Sequence, residues 1–128
     1  MLASLYCAQQ EYDGACDQLE EILQLDPAHM NACFLLARCY SSLGHRDKAT
    51  ACLENMAQCY QRQVQRMPDD GVTFYNLSAV YSHLQRADNT LRYLAKAVAL
   101  KPELKQKVRM DGAFGWISRT KAFLAIVQ

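Results

Sequence analysis

Between positions 70 and 102 the apolar residues recur at steps of three and four, and polar residues fill the positions between them. This spacing places the apolar residues on one face of a helix. The sequence QRAD interrupts the pattern, so the stretch predicts two short helices folded against each other. The first helix carries Phe74, Leu77, Tyr81 and Leu84, and the second carries Leu91, Leu94, Ala95 and Val98. One such hairpin cannot bury both of its faces, so the pattern predicts neighbours of the same kind.

The same order of residue types occurs twice more upstream. The second copy runs Leu36, Ala37, Tyr40, Gly44, Ala49, Leu53 and Met56, and the first runs Leu2, Ala3, Tyr6, Tyr12, Ala15, Leu19, Ile22 and Pro27. Aligned on the tyrosines, Tyr6 and Tyr40 are 34 residues apart, and Tyr40 and Tyr81 are 41 apart. The first period and these residue types resemble the tetratricopeptide repeat over residues 1 to about 102.

The resemblance implies an all-α fold, a right-handed superhelical solenoid of antiparallel helix hairpins in one domain. The expected parts are repeats over about 1–27, 28–67 and 70–102 and a C-terminal capping segment over 103–128. In the first repeat we expect one helix over about 1–10, with Leu2 and Tyr6 inward, and a second over about 13–25, with Asp13 as its N-cap.

The second repeat departs from the family pattern by seven extra residues before the third. Its apolar stripe continues past Tyr60 to Val64 and Met67. We therefore expect its second helix to continue to about Arg66, which lengthens it by about 10 Å. The extension is basic and rich in glutamine, and it is either a tolerated insertion or an arm for a partner or a second copy.

The overall charge is small, but its distribution is uneven. The net charge of +1 gives no attraction toward nucleic acid or an anionic membrane. Residues 1–37 hold six acidic side chains and no lysine or arginine, whereas residues 92–128 hold eight basic and two acidic side chains. This segregation is either scatter on solvated faces or an attraction between opposite ends and other molecules, or between the ends themselves.

The cysteines indicate a reducing, cytoplasmic location. The six of them form no CxxC pair, and most fall at helix positions that face a neighbouring helix. We interpret them as buried free thiols that pack as small hydrophobic groups. The sequence shows no secretory signal and no apolar run that approaches the roughly 20 residues of a membrane span.

The residues do not predict an enzyme, a cofactor or a metal site. His29 and Cys33 lie four apart on one helix face, but two ligands are fewer than a zinc site needs. The five glycines form no phosphate-binding loop, and no serine, cysteine or threonine lies in a recognisable nucleophile motif.

What remains is recognition of another polypeptide. In tetratricopeptide repeats the first helix of each pair lines the concave wall. The phase of the repeat therefore implies a peptide-binding face formed by Asn31, Phe34, Arg38, Tyr75, Asn76, Ala79 and His83, with Phe34, Arg38, Tyr75 and Asn76 as anchors. Some family members grip acidic peptide tails with a lysine–asparagine–asparagine–lysine–arginine clamp. That clamp is not expected here, because its first lysine position is missing and the others hold the neutral residues Ser4, Leu35, Val72 and Asn76. Trp116 is expected to pack over the last repeat rather than to bind a ligand.

These features predict a non-catalytic adaptor that binds a peptide or helical segment, without nucleic-acid or membrane partners. One alternative is a homo-oligomer formed through the N-terminal face or through the helix over residues 46–67. Others are the C-terminal fragment of a larger repeat scaffold and a regulatory domain of an enzyme.

Overall fold

A computed structural model describes the backbone of residues 2–128 and the side chains of residues 11–128. Every regular element in this part of the chain is helical, which confirms the predicted all-α helical repeat fold. The elements are α1 (Leu2–Leu25), α2 (Met30–Ser42), α3 (Arg46–Arg66), α4 (Gly71–His83), α5 (Ala87–Leu100), α6 (Leu104–Met110), a 3-10 turn (Gly112–Phe114) and α7 (Lys121–Val127).

The chain divides into two compact units. The single repeat domain expected from the sequence stays a prediction. The N-terminal unit comprises residues 1–56 and the C-terminal unit residues 57–128. The division falls within α3, whose first part belongs to the N-terminal unit. Helix α3 ends at Arg66, the end predicted from the apolar stripe that continues past Tyr60.

The first repeat differs from the expected pair of helices, because α1 is continuous over Leu2–Leu25. No proline occurs in this range, and Gly14 keeps a helical backbone with open space around its Cα. Asp13, predicted as an N-cap, therefore lies on the exposed surface in the middle of α1. The inward positions expected of Leu2 and Tyr6 lie outside the residues whose side chains are described.

The core of the N-terminal unit is small and is centred on Tyr40. Buried Cys16, Leu36, Tyr40 and Ala49 form it, and the half-buried residues Leu19, Leu23, Cys39, Leu43 and Cys52 pack around them. The Tyr40 hydroxyl donates to a carboxylate oxygen of Glu20, which ties α2 to α1. Burial and this hydrogen bond raise the pKa of Tyr40 above its ordinary value, because both disfavour the phenolate.

The C-terminal unit has a larger core, in which aromatic rings join α4 to α5. The ring of Tyr93 stacks on Tyr81 at 5.5 Å and on Phe74 at 6.2 Å between ring centroids. The end of α3 contributes Val64 to this core and donates from the Gln61 amide to the Tyr81 hydroxyl. Extension of α3 past Tyr60 thus gives α4 partners it would otherwise lack.

The segment after α5, where the sequence predicts a capping segment, packs into this core. Its buried residues are Leu104, Val108, Phe114, Ile117, Phe123 and Val127. Asp111 begins the 3-10 turn, since its Oδ1 accepts the Ala113 N–H at 2.9 Å. Thr120 caps α7 by accepting the Phe123 N–H at 3.3 Å.

The two complete hairpins turn at equivalent positions with different residues. Gly44 has φ of 81° and Gln85 has φ of 58°, both in the left-handed region. The following backbone amides close the turns, His45 N–H to Tyr40 O at 2.8 Å and Arg86 N–H to Tyr81 O at 3.0 Å. This is the usual end of a helix with glycine at the left-handed position, and Gln85 occupies that position at a steric cost.

Replacing Gln85 by glycine should therefore stabilise the protein. The left-handed conformation costs a non-glycine residue about 1 kcal/mol, so we expect the free energy of unfolding in urea to rise by about 0.5–1 kcal/mol. Gly44→Ala is the opposite substitution at the equivalent position of the other turn. The added Cβ would meet no atom within 4 Å, but the left-handed backbone disfavours alanine, so the free energy of unfolding should fall by about 1 kcal/mol. If both substitutions changed the free energy of unfolding in the same direction, this account of the turns would be contradicted.

Candidate protein-binding surface

One face of α4 presents accessible residues at steps of three and four. Val72, Asn76, Ala79 and His83 form this face, which we call the α4 stripe; Val72 and His83 are exposed, and Asn76 and Ala79 are half-buried. Asp70 fixes the start of α4 by accepting the Thr73 N–H at 3.3 Å and its hydroxyl at 2.7 Å. These bonds favour the carboxylate and hold the pKa of Asp70 below its ordinary value.

Tyr75, predicted as a peptide-binding anchor, lies in the core of the C-terminal unit with 4% of its surface exposed. The capping segment covers it: its ring meets Phe114 edge-on at 5.9 Å, and its hydroxyl donates to Asp111 Oδ2. The Lys107 ammonium lies 4.9 Å from the ring centroid. Burial, and then the bond to Asp111, raise the pKa of Tyr75 above its ordinary value. Tyr75 therefore fastens the capping segment to α4.

Trp116 combines a fixed orientation with an accessible ring. Its Nε1–H donates to Ser82 Oγ at 2.6 Å, and the Ser82 hydroxyl donates in turn to the carbonyl of Ala113. The indole thus bonds the last repeat, as expected of a capping residue, yet 46% of Trp116 remains exposed. Because Ser82 lies in the last turn of α4, this bond places the indole near the C-terminal end of that helix.

The other predicted binding residues belong to the N-terminal unit. Asn31 and Arg38 are exposed on α2, seven residues and thus two turns apart, and Phe34 between them is half-buried. They form a second accessible stripe within their own unit. The binding role predicted for the accessible residues of both units stays a prediction.

The histidine and cysteine pair considered as metal ligands has structural roles. His29 is the N-cap of α2, where its Nδ1 accepts the Ala32 N–H at 3.0 Å. Cys33 is buried, and its sulfur accepts from the Asn55 amide at 3.8 Å. Across the described side chains, 11–128, no group of three histidine, cysteine or acidic residues is arranged to hold a metal ion.

The described cysteines pack as free thiols. Cys16 and Cys33 are buried, and Cys39, Cys52 and Cys59 are half-buried; Cys7 lies outside the described side chains. Burial, reinforced by Cys39 and nearby carboxylates, raises the pKa of Cys16 to about 11. A thiol with a raised pKa carries little thiolate near neutral pH and is a poor nucleophile.

Residues 6–67 match the sequence profile of the tetratricopeptide repeat family. The match includes the whole α2–α3 hairpin, and the α4–α5 hairpin that follows has the same turn geometry. Residues 6–67 belong to the tetratricopeptide repeat family. Repeats of this family stack into surfaces that bind other proteins, so the match supports a general role in protein interaction.

Comparisons with solved structures and with curated proteins do not indicate a function. A solved structure titled "Crystal structure of MamA" is 17% identical to this repeat protein, with a TM-score of 0.42, and the similarity covers 94% of this chain and 84% of that one. No curated protein matches the chain. No helix within residues 2–128 has the length and apolarity needed to cross a bilayer.

Proposed function

We propose that this protein is a non-catalytic interaction scaffold that binds a polypeptide along the α4 stripe, with Trp116 as the anchor. The observation that carries the proposal is a tryptophan that is 46% exposed while its indole N–H is held at 2.6 Å by Ser82. A residue needed only to seal the capping segment would gain nothing from this exposed area.

A fixed tryptophan favours binding for two physical reasons. Its ring offers a large apolar area, and tryptophan is enriched among the few interface residues that dominate affinity. The bond to Ser82 limits rotation of the ring before a partner arrives, so less conformational entropy is lost on association. The same bond satisfies the indole N–H, so a partner needs to supply only apolar contact.

The α4 stripe supplies the polar and small groups that an extended peptide needs. The Asn76 amide can donate to and accept from a peptide backbone. Ala79 lets a main chain approach α4 closely, and Val72 at 41% exposure offers a second apolar contact. Tyr75 is left out of this surface because the capping segment covers it.

The stripe on α2 extends the proposal to the N-terminal unit. Arg38 and Asn31 are both exposed there, next to half-buried Phe34. A planar guanidinium pairs readily with a carboxylate or an aromatic ring. We assign this stripe a secondary contact with the same class of partner, a polypeptide.

Site-specific photo-crosslinking tests the surface directly, since the crosslink itself marks the partner. A photoreactive amino acid at position 83, in the α4 stripe, should capture a partner protein in cells of the source. The same group at position 95, exposed on α5, is the matched control and should capture that partner much less. Equal capture at both positions would remove the α4 stripe from consideration.

Trp116→Ala then tests the anchor on the partner identified by mass spectrometry. We expect calorimetry to show at least about tenfold weaker binding, since loss of a tryptophan anchor costs about 2 kcal/mol or more. Leu100→Ala removes another exposed apolar side chain of the same unit and should leave the affinity nearly unchanged. Unaltered binding by the Trp116 variant would contradict the assignment.

A further inference from the structure

The two compact units carry opposite charge. The N-terminal unit contains eight acidic and three basic residues, and the C-terminal unit contains five acidic and eleven basic residues. Their charges nearly cancel over the whole chain, which has a net charge of +1. Two copies of such a molecule therefore repel each other only weakly as whole molecules. At short range, the acidic unit of one copy attracts the basic unit of another.

The acidic charge has a defined surface on α1. Asp17, Glu21 and Leu25 follow one another at steps of four, so they lie along one side of the helix. All three are exposed, and Leu25 at 90% is the most exposed large apolar residue among the described side chains. No lysine or arginine occurs in residues 1–37, so α1 itself carries no cation.

A surface of matching composition lies at α7. Lys121 and Leu124 are exposed one turn apart, with Leu124 at 47%, and exposed Arg119 precedes them. Lys121 is the first residue of α7, where the helix dipole disfavours a positive charge. Stability of α7 therefore does not explain the lysine. We call Arg119, Lys121 and Leu124 the α7 surface, and Asp17, Glu21 and Leu25 the α1 stripe.

We infer that the protein associates with itself head to tail, through the α1 stripe of one copy and the α7 surface of the next. The two carboxylates meet the two cations, and Leu25 packs against Leu124 between them. Opposite charges on the two surfaces favour this pairing and disfavour contact between two identical surfaces, since like charges would then face each other.

A second copy of the chain is a partner that can bind to both surfaces. An unrelated acidic partner would fit only the α7 surface, and an unrelated basic partner only the α1 stripe. Because the contact joins two different surfaces, each added copy leaves one of each free, and growth continues into a ring or an open chain. The inference does not depend on the proposed function, because neither surface includes the α4 stripe or Trp116.

Sedimentation velocity of the full chain tests the contact. The Debye length falls from about 30 Å at 0.01 M salt to about 3 Å at 1 M, so the wild type should form concentration-dependent oligomers at low salt and dissociate at high salt. Asp17→Lys with Glu21→Lys, or Arg119→Glu with Lys121→Glu, should each weaken association at least about tenfold. A mixture of the two double variants should associate again, because reversed charges face each other.

The matched control is Arg62→Glu with Arg66→Glu, which reverses two exposed cations on α3 and changes net charge as much as the α7 variant does. It should associate like the wild type. A wild type that stays monomeric at low salt, a control as weak as the α7 variant, or a mixture that fails to associate would each overturn the inference. Circular dichroism of the variants should match the wild type, since every changed position is exposed.

Discussion

Replacing Phe114 by alanine is expected to lower the free energy of unfolding by about 3–5 kcal/mol. Phe114 is fully buried in the capping segment, where its ring contacts Tyr75 at 5.9 Å and Phe123 at 6.2 Å between centroids. Removing the ring leaves a cavity beneath the capping segment and takes away the apolar partner of both aromatic residues. Urea denaturation followed by circular dichroism measures the loss.

Two further variants serve as controls for this prediction. Phe114→Leu keeps most of the volume and should cost less than the alanine change, so it remains measurable if the alanine variant fails to fold. Leu124→Ala shortens a side chain that is 47% exposed in the same segment and should change stability by less than about 1 kcal/mol. If Phe114→Ala were as mild as Leu124→Ala, the capping segment would not be part of the folded core.

Stability should fall steeply as the pH rises above about 10. The pKa values of Tyr40, Tyr75 and Tyr81 are raised from the ordinary value of 10.0, chiefly by burial. In the unfolded chain these phenols ionise first, so the stability present below pH 10 is lost as the pH rises toward their higher folded values. Cys16, raised from 9.0 to about 11, adds a smaller loss that begins near pH 9.

Tyr75→Phe isolates one contribution to this alkaline loss. At pH 7 it should be less stable than the wild type by about 1 kcal/mol, because its ring no longer bonds Asp111. Between pH 7 and pH 11 it should lose less stability than the wild type, because phenylalanine cannot ionise. Tyr12→Phe, at a position 40% exposed, serves as the control and should follow the wild-type pH profile. Parallel profiles for Tyr75→Phe and the wild type would contradict buried ionisation.

The sequence predicts the helices well where local signals agree. Apolar stripes and turn residues indicate the α2–α3 and α4–α5 hairpins, and Gly44 marks one turn directly. The unbroken stripe past Tyr60 carries enough information to extend α3 to Arg66, because helix periodicity is a local property.

The sequence does not predict features that depend on tertiary contacts. Repeat phase puts Tyr75 on an open wall, but the capping segment returns to cover it, and repeat phase carries no information about that return. Trp116 looks like a core residue by type, and only the bond to Ser82 reveals a fixed yet accessible ring. In α1 the expected turn near Asp13 is absent, because no residue there interrupts the helix.

Asp111 has a consequence for recognising related chains. One of its oxygens accepts the Ala113 N–H, and the other accepts the hydroxyl of Tyr75, 36 residues earlier. A phenol can accept as well as donate, so asparagine would preserve both bonds, whereas glutamate would place its oxygens one carbon too far out. Genome searches for this ending should therefore pair Asp or Asn three positions before phenylalanine with an upstream tyrosine.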